Sequence, residues 1–300
     1  MIKIIGIIFL IVVLSSCSDQ SGSGKYYTNA KWQKFRKDYD QGMLKNKPVE
    51  IKERAYIELE DTLLTAKGKD GGFESYKFYT NGDLQRWQIY DSNDHWVIAE
   101  MKYDNNGLQS RYYSDRDSLR TFEDAGKVVT RKLNDSQFLM HSFFNIGPAF
   151  LLNTFRENGS IVRKEYIVDS AKLKDVFKTV TFYYKDDLLQ KTTTTVKDGY
   201  QQEDNYFYSG NHSLDSITRS VLNKPSQREI FANNSYGDPV TYILQRLPKN
   251  DTIKYITFQY EYDSKGNWIK RLENKIKGNY AMSGKNPHHT LFIRKIRYQD

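Results

Sequence analysis

Apolar and polar residues alternate with a period of two along most of this chain, and short turn-forming segments interrupt the alternation. The clearest instance lies near the end: Tyr260-Glu261-Tyr262-Asp263-Ser264-Lys265-Gly266-Asn267-Trp268-Ile269-Lys270-Arg271. Tyr260 and Tyr262 are two apart and share one face of a pleated strand. Asp263 to Gly266 supplies turn chemistry, with a glycine that takes positive φ at no steric cost. Trp268 and Lys270 then alternate with Ile269 and Arg271. The stretch reads as strand, tight turn, strand.

Weaker copies recur upstream. An aromatic strand end, a turn with Gly, Asn or Asp, an apolar residue and a basic residue mark Tyr79–Arg86, Tyr103–Arg111, Phe122–Arg131 and Phe155–Arg163. Tyr183–Lys191 keeps the pattern but turns through Lys185-Asp186-Asp187. Tyr208-Ser209-Gly210-Asn211 is looser, and Phe231–Val240 places Gly237 before Asp238-Pro239. Asn-Gly and Asp-rich turns between β-rich runs are strong hairpin signals. Each unit is too small to bury its own face, so neighbours must pair side by side. The predicted fold is all-β with a minor helix. It is a repetitive antiparallel β-hairpin meander over 49–300, forming an extended or curved sheet, with an open barrel or a sandwich as alternative arrangements.

Three stretches depart from the pattern. In 25–48, Trp32, Phe35 and Tyr39 fall on one helical face before Pro48, which predicts a short helix or an extended arm. Phe138 to Leu152 is the most apolar stretch after residue 16 and is read as a buried segment, a short helix over one face of the sheet, with an exposed partner or lipid contact as the alternative. The loop 275–290 carries Gly278, Gly284, Pro287 and the pair His288-His289.

The beginning of the chain bears on location. Met1-Ile2-Lys3 is followed by the apolar run Ile4–Leu14, shorter than the ~20 residues a membrane-spanning helix needs. A charged start, a short apolar run and a small-residue site describe a secretory signal. The site Leu14-Ser15-Ser16-Cys17 resembles the bacterial lipoprotein box. The resemblance implies cleavage after residue 16 and diacylglycerol on Cys17, with acyl chains such as palmitate holding the protein at the outer membrane. Cys17 is the chain's single cysteine, so no internal disulfide forms. Ser18–Gly24 is a flexible polar tether.

Composition narrows the picture further. Tyr (23) outnumbers Phe (16), and hydrophobic residues make up 38% of the chain, which suits thin sheets with a solvated face. The net charge of +8 comes from 45 basic and 37 acidic residues that are interspersed, without a basic block. A mixed solvated surface follows, and no nucleic-acid partner is expected.

The motif at 262–271 resembles the YD repeats of Rhs-type proteins and their diverged relatives among lipoproteins of the Bacteroides group. The forms at 79–84 and 155–161 equally resemble variant MORN repeats. Both families build consecutive antiparallel hairpins. The resemblance implies structural modules and brings no functional residue with it.

Motifs for chemistry are sparse. The histidines His95, His141, His212, His288 and His289 show no metal-ligand spacing, and the Asp-rich turns lack the EF-hand pattern. No nucleophile elbow, phosphate loop or dinucleotide fingerprint occurs, so no metal, cofactor or catalytic residue is expected. Aromatic and basic residues mixed on strands, Trp87, Tyr112, Tyr113, Trp268, Lys270 and Arg271, are the candidate binding residues. The expectation is a non-catalytic envelope lipoprotein that binds a glycan or a protein. The alternatives are an assembly component of an envelope complex and a carboxylate-dependent hydrolase.

Overall fold

The structure, a computed structural model, describes residues 48–298 apart from 58, 60–62, 80–83, 92–95, 105–106, 116–121, 145–146, 157–159, 168–174, 211 and 278–288. The signal, Cys17, the tether, residues 25–47 of the arm expected over 25–48 and His288 lie outside the described residues, while Pro48 opens the first strand and His289 the last.

Among the described residues, eighteen strands follow one another. They are β1 (Pro48–Ile57), β2 (Lys69–Phe78), β3 (Leu84–Asp91), β4 (Trp96–Asp104), β5 (Gly107–Asp115) and β6 (Phe122–Asn134). Next come β7 (Gln137–Phe144), β8 (Gly147–Phe155), β9 (Ile161–Ile167), β10 (Val176–Lys185), β11 (Leu188–Val196) and β12 (Gln201–Tyr208). The series ends with β13 (Leu214–Val221), β14 (Lys224–Asn233), β15 (Pro239–Arg246), β16 (Asp251–Tyr262), β17 (Trp268–Lys277) and β18 (His289–Tyr298). No helix occurs among the described residues.

Each strand pairs antiparallel with its successor, as a hairpin meander requires. The sheet curves far enough that β18 pairs with β1, from Pro48↔Tyr298 to Tyr56↔Leu291. Every described strand therefore has a hydrogen-bonded neighbour on both sides, and none of these eighteen is left as an edge.

Seven of the marked turns are hairpin turns, and each joins an even-numbered strand to the next odd one. They therefore share one rim of the ring. The copy at Phe122–Arg131 is different, because it lies inside the single strand β6. Tyr112 pairs with Gly126 and Tyr113 with Asp124, so Ala125 is the extra residue of a bulge. The turn that the meander needs there falls later, between β6 and β7, where the Asn134 carboxamide oxygen accepts the Ser136 N–H at 3.0 Å.

The rim turns explain their own sequences. Asp186 and Asp187 take φ of 48° and 59°, the pair of positive angles of a two-residue hairpin turn, so Asp-Asp replaces the glycine. The Asp263 carboxylate accepts the N–H groups of Lys265 and Asn267, both at 2.9 Å, and Gly266 sits at φ 77°. Asn234 repeats this with Tyr236 and Asp238, at 2.9 and 3.1 Å.

Tyrosines then join one hairpin to the one before. The hydroxyls of Tyr184, Tyr208 and Tyr260 donate to the carbonyls of Ile161, Leu189 and Pro239 at 3.0, 2.9 and 2.8 Å. Asn233 does the same to Leu214 at 2.8 Å. Each bond contributes about 1 kcal/mol net. Burial pushes the phenols of Tyr184 and Tyr208 up to about 12, so they stay neutral donors. The excess of Tyr over Phe has this rim as one physical cause.

The apolar stretch Phe138–Leu152 forms the hairpin β7–β8 rather than a helix. Periodicity does not separate a short apolar run into strand or helix, and here β6 and β9 both need a partner strand. Its burial is as expected: Phe138, Met140 and Leu151 join one cluster, while Leu139, Phe150 and Leu152 form another with Ile167 on the opposite face.

Cross-strand register gathers the main core on one face. Ile296, Ile51, Tyr76, Trp87 and Ala99 are successive partners across five strands. Phe231, Tyr242 and Ile256 form a second such row. The closed ring turns this face inward. The opposite face presents exposed Lys52, Arg54, Lys77, Glu100, Lys102, Arg131, Arg163, Arg228, Glu261, Lys295 and Arg297.

Candidate functional site

The seam where the last strands meet the first carries the densest buried chemistry among the described residues. It begins with an irregularity in the β16–β17 hairpin. Tyr260 pairs with Arg271, Glu261 with Lys270 and Tyr262 with Trp268, so Ile269 is an extra residue. Strict alternation predicts Trp268 and Lys270 on one face. The bulge instead places Trp268 with Arg271 on the inner face and sends Lys270 outward. The Lys270 ammonium ion-pairs with Glu261 at 2.7 Å on the outer side.

Inside, Trp268 and Arg271 are 4% and 1% exposed. The Arg271 guanidinium lies 4.6 Å from the Trp268 ring centre and 4.5 Å from that of Phe292, and it pairs with Glu273 at 3.1 Å. From β18, Arg294 reaches the other way. Its guanidinium lies 3.2 Å from the Trp268 ring centre and its Nε donates to Glu53 Oε2 at 2.7 Å. Glu53 belongs to β1, 241 positions away, so this ion pair closes the ring. Arginine suits the place, since its planar group stacks on a ring and still donates in its own plane.

A pocket of about 140 Å³ opens beside this pair. Glu53, Ala55, Glu74, Ile89 and Phe292 line it, with Gly71, Gly72, Phe73 and Tyr90 completing the wall. Glu53 and Glu74 are direct cross-strand partners, and the Tyr76 hydroxyl donates to Glu74. A second bulge shapes the wall: Ala55 pairs with Gly72 and Tyr56 with Asp70, leaving Gly71 over.

A second polar group lies on the inner face of β12–β15. Arg219 donates to both oxygens of Asp204, at 2.8 and 3.1 Å, and sits 3.9 Å from Glu229. The Tyr242 hydroxyl donates to Glu229 at 3.1 Å. The Asp204 hydrogen bonds hold the Arg219 guanidinium well above its ordinary value. This network reads as a strut across four strands.

The expected binding residues thus separate. Trp268 and Arg271 meet in the seam, and Lys270 does not. Trp87 is buried in the inner core cluster. Tyr113 is half-buried on β5, paired in register with Ile98, and the backbone of Tyr112 pairs with Ala99. An exposed aromatic and basic face is therefore not what Trp87, Trp268 and Arg271 form. Glu53 and Arg294 escape a sequence reading because they meet from opposite ends of the chain. The one available signal was the alternation of Leu291–Tyr298, which places Phe292, Arg294 and Ile296 on one face.

No family model matches the chain, and no curated protein matches it. Among solved structures, it is similar to a porin-like protein from Bacteroides uniformis, with a TM-score of 0.48, 11% identity, and 85% of this chain and 98% of that chain covered. It is also similar to part of the TcdB2-TccC3-Cdc42 complex, with a TM-score of 0.33, 11% identity, and 69% of this chain and 12% of that chain covered. Likeness at this level concerns backbone shape and brings no functional residue with it.

Proposed function

We propose that this chain is an exported, lipid-anchored envelope protein whose β ring stands in water and binds a ligand or partner without chemical turnover. The observation that carries the reading is the polarity of the outer face. A barrel that crosses a bilayer presents an apolar band outward, and each Arg or Lys on that band costs ~2–4 kcal/mol at the midplane. Here the outward positions hold Lys52, Arg54, Lys77, Lys102, Arg131, Arg163, Arg228 and Lys295, all exposed. Carboxylates answer several of them at the surface, as Glu50 does for Lys52 at 3.6 Å and Arg297 at 3.7 Å. No helix among the described residues is long and apolar enough to cross a membrane. Attachment then falls to Cys17 and its tether, as the lipoprotein-box resemblance implies.

The experiment is metabolic labelling with palmitate and fractionation of cells expressing the wild type or Cys17→Ala. The wild type is expected in the membrane fraction, labelled, and released only by detergent. Cys17→Ala should lose the label and become soluble. Retention of unlabelled Cys17→Ala in the membrane after alkaline washing would mean that the ring itself is embedded.

One observation favours a second reading. The carboxylates of Glu53 and Glu74 come from adjacent strands into one pocket, as a carboxylate-dependent hydrolase requires. Against it, Glu53 is engaged at 2.7 Å by the arginine that closes the ring. Turnover of a glycoside that disappears in Glu74→Gln would decide for the hydrolase.

A further inference from the structure

A crest of exposed apolar side chains runs along one rim of the ring. Connections from odd-numbered strands to even ones share the rim opposite the aromatic turns. Phe177 on β10, Tyr200 before β12, Leu222 between β13 and β14, Pro248 between β15 and β16, Ile276 on β17 and Leu63 between β1 and β2 are all exposed there. They mark six neighbouring connections of that rim, each two strands from the next, or roughly 9–10 Å. On the other rim the exposed Tyr236 and Tyr183 are engaged within the chain. Tyr236 lies flat on Tyr262 with ring centres 4.0 Å apart, and the Lys191 ammonium lies over the Tyr183 ring.

Leu222 is the most informative member of the crest. It is 57% exposed and belongs to none of the core clusters. Its backbone sits at φ 48°, followed by Asn223 at 61°, the paired positive angles of a two-residue hairpin turn. Asn, Asp and Gly are preferred at such positions, because a larger side chain brings Cβ against a carbonyl oxygen. Asp186 and Asp187 follow that preference in the matching turn of the other rim. Leucine therefore strains the turn, and more than half of the residue stays in water instead of packing within the chain. Backbone strain of this kind clusters at ligand and partner contacts. Contiguous exposed apolar groups mark interaction surfaces.

The course of the chain selects the occupant. β1 enters at the opposite rim, where Pro48 pairs with Tyr298, so the segment that leads back to Cys17 leaves from that side. The anchor draws that rim toward the bilayer and leaves the crest pointing away from it. A second copy held on the same bilayer points its crest in the same direction, so two crests do not meet. We propose that the crest docks a different envelope protein, one that presents an apolar groove, with Leu222 inserted into it. The proposal rests on the lipid-anchored reading above and names the kind of partner.

Photocrosslinking in intact cells tests it, with a photoreactive leucine analogue placed in the full chain at position 177, 222 or 276. Position 133, exposed on the opposite rim, is the control. The three crest positions are expected to give one common adduct, of a mass other than a dimer of this chain, and position 133 none. Leu222→Asn should lower the yield from position 276 by about tenfold or more. The same substitution should raise the melting temperature of the purified chain by ~2–4 °C, because asparagine tolerates the turn. Ile276→Ser, read from position 222, repeats the yield test at a site without the strained turn. A lower melting temperature in Leu222→Asn would place the leucine in the chain's own packing and overturn the proposal. Adducts to lipid or to a second copy, no adduct, or equal yield from position 133 would overturn it as well. Fractionation of Cys17→Ala does not involve the crest, so failure of the docking and failure of the anchoring are separately visible.

Discussion

Glu53→Ala is expected to lower the stability of the ring by ~3–5 kcal/mol, the cost of leaving a buried charge without its partner. The Glu53 and Arg294 side chains are 4% and 5% exposed, so water does little to compensate the arginine left behind. In a domain of this size the loss corresponds to a fall in melting temperature of roughly 6–20 °C. Chemical denaturation followed by tryptophan fluorescence measures it, since Trp268 lies against Arg294. Glu53→Leu combined with Arg294→Met should recover most of the loss, because a well-packed apolar pair replaces a buried ion pair at little cost. A loss below 1 kcal/mol in Glu53→Ala would mean that the pair is solvated. Lys270→Ala is the surface control. Its partner Glu261 is half exposed, and such pairs contribute ~0–1 kcal/mol.

Trp268→Ala should cost ~3–5 kcal/mol by a different mechanism. It removes a buried indole, leaves a cavity and takes the shared ring away from both Arg271 and Arg294. Trp268→Phe keeps part of the ring and should recover about half. If Trp268→Ala unfolds no earlier than wild type in denaturant, the seam is not a packed element of the fold.

Much of this architecture is legible in the residues themselves. Seven aromatic turns locate seven hairpins, because Asn, Asp and Gly impose local backbone angles that need no tertiary context. The copy at Phe122–Arg131 misleads for a related reason. Gly126 serves a bulge as readily as a turn, and only the partner strand decides between them. Phe138–Leu152 misleads because apolar residues on both faces erase the period of two.

The seam is less legible. Trp268 and Arg271 stand out as candidates, yet alternation pairs Trp268 with Lys270, and the extra residue Ile269 reverses that assignment. Bulges displace side chains by one position and leave no mark in composition. Glu53 and Arg294 are ordinary charged residues in alternating strands until the ring closes and brings them together. Their roles follow from topology, and topology joins the two ends of the described chain.

Ring closure is the claim on which the seam, the buried ion pair and the pocket all depend. Lys52 and Lys295 are direct partners in the β1–β18 ladder. Directly opposed residues in antiparallel strands have Cα atoms ~4.5–5.5 Å apart, within the range a disulfide spans. Cys17 is the chain's single cysteine, so Lys52→Cys with Lys295→Cys in a Cys17→Ser background places just two thiols in the molecule. The measurement is the extent of intramolecular disulfide formation under mild oxidation, read from gel mobility and thiol titration of the native protein. The ring predicts near-complete formation within the monomer and a higher melting temperature once the bond is made. Free thiols, or crosslinks only between molecules, would mean that β1 and β18 do not meet.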